Sequence, residues 1–275
     1  MKLPLFLSLL LSVCALAEVK VVTYNIRQDT RSDRGVRDWS KRAPGVVKFL
    51  KEGGFTVIGL QEAHHHQVEF IEKGLPGFQR IGVGRSDGKK RGEYSPILFD
   101  RKMWKADPED QGTFWLSPAP ETPGSTGWGN NVTRICTWVR LLDEKGKGLY
   151  VFNTHWDHQS QPSREKAAVL ILERIKNRKK SADPVILMGD FNATTTNPAI
   201  KALLEPGVLM HPTKREEKVT YNFWKQELKD GLAIDHIFTT APIKNGSLRV
   251  LQDGDPVNSD HHPVVLTLEA ALKDQ

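Results

Sequence analysis

The sequence predicts an α/β fold, and three observations carry that prediction. Apolar runs alternate with amphipathic stretches near the N-terminus in the order strand, helix, strand, helix. Five strand-like runs then follow one another between Phe78 and Thr154 with no helical pattern between them, which implies antiparallel pairing in a mixed sheet. A long helical stretch finally leads into the apolar run Val185-Ile-Leu-Met188, which stops abruptly in Gly189, Asp190, Phe191 and Asn192.

The first 17 residues stand outside that pattern. Lys2 is followed by the apolar run Leu3 to Leu16, and Ala15-Leu-Ala17 directly precedes Glu18, the layout of a secretory signal peptide. The run is too short to cross a bilayer as a stable helix. The expected product is an exported chain, secreted or periplasmic, cut after Ala17, with one domain over residues 18–275. Lipidation of Cys14 is a rival reading, which Val13 before the cysteine fits poorly. Cleavage removes Cys14 and leaves Cys136 alone, so no intrachain disulfide can form.

Within the domain, Glu18 to Asn25 alternates apolar and polar residues and reads as the first strand. Asp38 to Glu52 carries Trp39, Val46, Val47 and Leu50 at helical spacing and closes at Gly53-Gly54. Phe55 to Leu60 is a short buried strand running into Gln61 and Glu62, and His65 to Lys73 is a helix stopped by Gly74 and Pro76. The strand runs are Phe78 to Gly84, Ser95 to Asp100, Gly112 to Leu116, Arg134 to Leu142 and Gly148 to Thr154. Ser163 to Lys179 is the long helix, with Ala167, Leu170, Ile171 and Ile175 on its apolar stripe. Strands recur at Leu232 to Thr239, Leu248 to Leu251 and Val264 to Leu268.

Composition narrows the partners. The chain is 39% hydrophobic and 26% charged, ordinary for a globular fold. Its net charge of +6 falls to +5 once Lys2 is cleaved, mild beside the basic faces of proteins that track duplex DNA. Runs such as Lys89-Lys-Arg91 and Arg178-Lys-Lys180 are solvated faces that also suit an anionic substrate. Neither a protein partner nor a transmembrane segment is implied, and the expected state is a monomer.

The chemistry sits where strands stop. Thr23-Tyr-Asn25, Leu60-Gln-Glu62, Asn153-Thr-His155 and Gly189-Asp-Phe-Asn192 each run from apolar residues straight into acid, amide or imidazole. Ile234-Asp-His236 and Ser259-Asp-His261 do the same later. Asp190 and Asn192, two apart, are expected on one side of a strand end. If the strands share a sheet edge, these groups converge on one cleft. Carboxylates and amides there suit a hard cation or the water beside it. His64-His-His66 lacks the spacing of a zinc site, because adjacent helix residues face different ways; it is expected at the rim.

With these motifs in order along essentially the whole mature chain, the sequence resembles the endonuclease/exonuclease/phosphatase superfamily, the DNase I-like metal-dependent phosphoesterases. Gly92-Glu-Tyr-Ser-Pro-Ile97, Gly112-Thr-Phe-Trp-Leu-Ser117 and Asn153-Thr-His-Trp-Asp-His158 are most similar to secreted bacterial members related to the nocturnin-type deadenylase branch. The resemblance implies a four-layered α/β sandwich, two packed mixed β-sheets flanked by helices. It implies Glu62 as principal metal ligand with Asn25 and Asp260 nearby, and Mg²⁺ or Mn²⁺ as the ion. It implies His261 on the scissile phosphate, oriented by Asp235, with Asp190 on the attacking water and Asn192 and His155 on phosphate oxygens. The expected substrate is a small phosphodiester or the end of a single nucleic-acid strand. The alternatives are a sugar, inositol or lipid phosphomonoester, or duplex DNA cut internally. Substrate contacts are expected from Tyr94, Trp156, Asp157 and Arg164, in loops beside the motifs, with Trp115, Trp128 and Trp138 as further stacking candidates.

Overall fold

The central strands are apolar on both faces, so each needs a covering layer on either side. In Val185–Asp190, Val185 and Leu187 join one core while Ile186 and Met188 join another. In Val19–Asn25, Val21 and Val22 part in the same way. A computed structural model describes residues 18–213, 218–225, 231–240, 246–251 and 258–268. The expected signal peptide, residues 1–17, lies outside the described residues.

The first half contains β1 (Val19–Asn25), α1 (Trp39–Glu52), β2 (Val57–Gln61), α2 (His65–Gly74), β3 (Phe78–Ile81) and β4 (Ile97–Asp100). The second contains β5 (Lys105–Trp115), β6 (Ile135–Leu142), β7 (Gly148–His155), α3 (Gln161–Lys176), β8 (Val185–Asp190), α4 (Pro198–Leu204) and β9 (Asp235–Thr239). The chain then returns with β10 (Gly246–Val250) and β11 (Val264–Leu268). One sheet has the order β10-β11-β1-β2-β4-β3, the other β5-β6-β7-β8-β9. Both are mixed: β1 and β2 run parallel around α1, and β7 and β8 run parallel around α3.

The two sheets pack face to face over Val21, Val57, Val139, Val151, Ile186, Met188 and Ile237. Outside them lie a core with α1 and α2 around Tyr24, Leu60 and Val68, and a core with α3 and α4 around Phe152, Leu187 and Ile171. Three cores between four layers make the expected sandwich. Each fully buried Val, Leu, Ile or Phe contributes about 1.5–3 kcal/mol to holding it.

Some boundaries differ from the sequence reading, with reasons. The helix α4 has seven residues, too few to show a helical period, although Asn197 caps it by accepting from Ala199 N and Pro198 follows at its start. Strand β5 begins at Lys105, hidden because its register shifts between Ala106 and Gln111 through the polar stretch Asp107-Pro-Glu-Asp110. The helix α3 starts two residues early, where Ser160 accepts from Ser163 N as its cap.

Candidate active site

Strand direction decides where the polar stops meet. Parallel β1 and β2 end together, pairing Asn25 with Gln61, and parallel β7 and β8 end together, pairing His155 with Asp190. The antiparallel β9 starts where β8 ends, which sets Asp235 opposite Asp190. The antiparallel β11 starts beside the end of β1, so the turn before it delivers Asp260 and His261 to the same edge. All eight expected catalytic and metal residues therefore meet at one rim of the sandwich.

Tight turns aim them. Asn25 Oδ1 accepts from Arg27 N at 3.0 Å, and Asp190 Oδ1 accepts from Asn192 N at 2.9 Å. Arg27 (φ 58) and Asn192 (φ 47) are left-handed, as is Glu62 (φ 64), a conformation that non-glycine residues rarely hold and that clusters at functional sites. Asn192 thus reaches the cleft through a side-chain-capped turn rather than as the next outward position of a strand, as its spacing suggests. Gly189 (φ 152) precedes Asp190 because a Cβ there would lie 2.1 Å from the Thr154 carbonyl oxygen.

The centre is Asp190. Its Oδ2 accepts from Asn25 Nδ2 at 3.0 Å and stands 3.5 Å from His155 Nε2 and 3.8 Å from His261 Nε2. Each imidazole has a carboxylate behind it. His261 Nδ1 bonds Asp235 Oδ2 at 2.8 Å, and His155 Nδ1 lies 3.8 Å from Glu93 Oε2. The two histidines nevertheless differ in charge. Burial would lower His261, but the negative charges of Asp235 and Asp190 push it up to about 10. Burial, then the positive charges of Arg134 and Arg85, hold His155 well below the usual imidazole value. Asp190 is pushed up to about 7, first by burial and then by the Asp235 charge across the strand pair.

Glu62 goes the other way. Burial opposes ionisation, but Asn25 Nδ2 donates to its Oε1 at 3.0 Å, His261 adds a positive charge, and Gln28 N donates to its Oε2 at 3.0 Å. It is held below its ordinary value. Asp260 is raised, chiefly by burial.

These residues fit a divalent cation. Among the described residues, Glu62, Asp190 and His261 form the one group whose ligand atoms all lie within 4.8 Å of one another. Glu62 and Asp260 already share a cation, the Arg27 guanidinium, whose Nη1 is 3.9 Å from Glu62 Oε2 and 3.7 Å from Asp260 Oδ2. Oxygen donors dominate, which suits a hard ion. His261, charged and bonded to Asp235, has no lone pair to lend at neutral pH.

The four expected substrate contacts are not at the cleft wall. Trp156 is fully buried in the α3 core, edge-on to Phe191 at 4.7 Å. Tyr94 is buried behind the wall, its hydroxyl bonded to His65 Nδ1 and the Lys89 carbonyl. Asp157 pairs with Arg134 at 3.5 Å, and Arg164 donates to the Asp157 carbonyl and to Gln161. Trp115 and Trp138 pack in the fold, and Trp128 packs partly buried against the same core. Of the three histidines of the run, His65 turns to Tyr94, while His66 bonds Asp29 and stacks on the His64 ring at 6.2 Å; none of them lines the cleft.

Other residues line the cleft of about 410 Å³ instead. They include the charged and imidazole groups Arg85, Glu93, Arg134 and His158, and also Tyr221, Leu232 and Ile234. Tyr221 lies 4.9 Å from the His261 ring and 4.1 Å from Phe223. One signal for Arg27 was present: it follows Asn25 at the spacing by which Asn192 follows Asp190.

The family model described as Endonuclease/Exonuclease/phosphatase family matches residues 22–261. An endonuclease/exonuclease/phosphatase from Bacteroides vulgatus is 32% identical, with 92% of this chain and 99% of that one covered and a TM-score of 0.83. A mannosyl-6-phosphatase from Bacteroides thetaiotaomicron VPI-5482 is 30% identical, covering 90% and 98% of the two chains with a TM-score of 0.81. The catalytic domain of human nocturnin shares the fold at 16% identity, with 91% and 93% covered and a TM-score of 0.69. No curated protein sequence matches the chain. With the strand-end residues gathered at one rim and the family pattern running from β1 to His261, the chain belongs to the endonuclease/exonuclease/phosphatase family.

Proposed function

We propose that the chain is an exported, Mg²⁺- or Mn²⁺-dependent phosphoesterase that hydrolyses a small phosphodiester by attack of water. The observation that carries this reading is Asp190 Oδ2, held by Asn25 and flanked by His155 and His261 while its carboxyl is poised near 7. A carboxyl that exchanges its proton near neutrality suits a general base for water. His261, kept protonated by Asp235, donates to a phosphoryl oxygen and stabilises charge that develops there. Asn192 and neutral His155 hold the remaining phosphoryl oxygens. Glu62 and Asp260, with Asn25, would hold the cation, which neutralises phosphate charge when bound. The ring pair Tyr221 and Phe223 beside His261 gives a leaving group a surface to stack on.

A second reading, a sugar phosphomonoesterase, is favoured by the 30% identity with the mannosyl-6-phosphatase over 90% of this chain. A dianionic monoester also suits a cleft that holds Arg27, Arg85 and Arg134. Protein lacking residues 1–17 separates the two. Bis-p-nitrophenyl phosphate, short single-stranded oligonucleotides, mannose 6-phosphate and supercoiled plasmid are compared with Mg²⁺, with Mn²⁺ and with EDTA. The expected result is metal-dependent hydrolysis of bis-p-nitrophenyl phosphate faster than of mannose 6-phosphate, with slow plasmid nicking; the reverse order would favour the second reading. Activity undiminished in EDTA, or no phosphoester hydrolysed with either metal, would overturn the proposal. Export is tested separately, by the N-terminus of protein secreted from a native-like host, expected at Glu18.

A further inference from the structure

On the far side of His155 the cleft turns basic. Arg85 and Arg134 both line it, but they differ in how they are tied. Arg85 commits two of its five N–H donors to a two-pronged pair with Glu93, at 2.7 and 2.5 Å. Arg134, directly before β6, is only 4% exposed, yet its Nη1 and Nε have no hydrogen-bond partner among the described residues. Its Nη2 meets His158 Nδ1 at 2.9 Å, and its Nε stands 3.5 Å from Asp157 Oδ2. Asp157 balances the charge, while its Oδ1 is taken by the backbone N–H groups of Gln159 and Ser160.

A buried guanidinium normally has its fork of N–H donors satisfied, and donors left unmade are the exception that requires a cause. Asp157 Oδ2 stands near Nε, so the donor left with no facing acceptor among the described residues is Nη1. Arginine's planar fork matches the oxygens of phosphate. His158 adds to this: with Nδ1 accepting from Arg134, its ring proton sits on Nε2, a further donor on a cleft-lining residue. The chain of contacts Asp190, His155, Glu93, Arg85 sets two side chains between the reacting centre and this basic wall. The wall therefore addresses oxygens other than those held at Asp190.

We propose that Arg134, with Arg85 and His158, forms a second anion subsite, so that the preferred substrate carries a further phosphate group beside the phosphoester that is hydrolysed. This rests on the phosphoesterase reading for its first phosphate, and the test keeps the two apart. Binding is measured by calorimetry on Asp190→Asn protein, which does not turn substrate over. The probes are pyrophosphate, 2,3-bisphosphoglycerate and glucose 1,6-bisphosphate, against orthophosphate and glucose 6-phosphate. At least one bisphosphate should bind about tenfold more tightly than the monophosphates, the scale of one charge-assisted hydrogen bond. Adding Arg134→Gln should erase that advantage and leave monophosphate affinity within about twofold, whereas Arg134→Lys should retain part of it. If Arg134→Gln does not fold, Arg134→Lys and Arg85→Gln carry the comparison, both expected to reduce the ratio. Equal affinity for every bisphosphate and monophosphate, or equal weakening of both by the Arg134 variants, would refute the subsite. A bisphosphate preference in a protein that hydrolyses no phosphoester would leave the subsite standing and remove the phosphoesterase reading alone.

Discussion

Two parallel strand–helix–strand units face each other across the cleft, and each ends in a carboxylate. The unit β1-α1-β2 delivers Glu62, and the unit β7-α3-β8 delivers Asp190. The device is the same, yet the two acids are driven in opposite directions. Glu62 is partly exposed, takes hydrogen bonds from Asn25 and Gln28 and has the Arg27 guanidinium nearby, so it stays ionised. Asp190 is buried opposite a second aspartate, so it holds its proton until about pH 7. Strand ends bring the carboxylates to the site; the neighbours decide which one gathers a cation and which one moves a proton.

The largest effect expected from that difference is on turnover. Glu62→Gln and Asp190→Asn should each remove roughly 10²–10⁴-fold of the rate or more, with folding retained. They should part on adding metal. Raising Mg²⁺ or Mn²⁺ should recover a share of the Glu62→Gln activity, because Asp260 still gathers a cation, and none of the Asp190→Asn activity. Steady-state rates across a metal titration decide it. Equal rescue of both would erase the division of labour.

Stability should show the same division at smaller scale, read in EDTA. Asp190 has a folded value above its ordinary one, about 7 against 3.8, so between those values the folded state binds the extra proton and loses stability as pH rises. Glu62 has a folded value below 4.5, so its contribution is present above that pH and is lost on acidification. From pH 5 to pH 7.5, Asp190→Asn should therefore lose less Tm than wild type does. Glu62→Gln should instead be destabilised at pH 7.5 and approach wild type as pH falls from 4.5. In a chain of this size each kcal/mol moves Tm by roughly 2–4 °C. Thermal melts at four pH values are sufficient, and an Asp190→Asn Tm that falls between pH 5 and pH 7.5 as far as that of wild type would break the contrast.

The strand ends were legible in the sequence because an apolar run that stops in acid or amide sets polar groups where a core would reject them. All eight catalytic and metal candidates stand at or beside such ends, and the family resemblance supplied their roles. The cleft walls were only partly legible, and the misses have two causes. Tyr94 and Trp156 follow Glu93 and His155 directly in sequence, and in extended chain the next residue points to the opposite side. Glu93 and His155 line the cleft, so Tyr94 and Trp156 are buried behind it. Arg134 and Tyr221 reach the cleft from a strand approach and from a long connection, where no periodicity announces a direction. The helix α4 is too short to have declared itself.

The smallest effect expected sharpens the Glu62 side of the comparison. Arg27 Nη1 lies within 4.0 Å of Glu62 and Asp260, the two acids proposed to hold the metal, so the guanidinium stands as a competitor for their charge. Its grip there is modest: the side chain is 25% exposed, and its hydrogen bonds go to Asp33 rather than to either acid. Ion pairs this exposed are worth about 0–1 kcal/mol, so removing one releases at most about a fivefold change in affinity. Arg27→Gln should bind Mn²⁺ a few-fold more tightly in calorimetry without substrate. The turn that places residue 27 is made by backbone groups and Asn25, and it survives the change. Arg27 also lines the cleft, so the variant should bind phosphate less well. Opposite shifts in the two affinities are the expected result. Unchanged Mn²⁺ affinity would place the cation away from the Glu62–Asp260 pair and leave Asp190 as its main anionic neighbour.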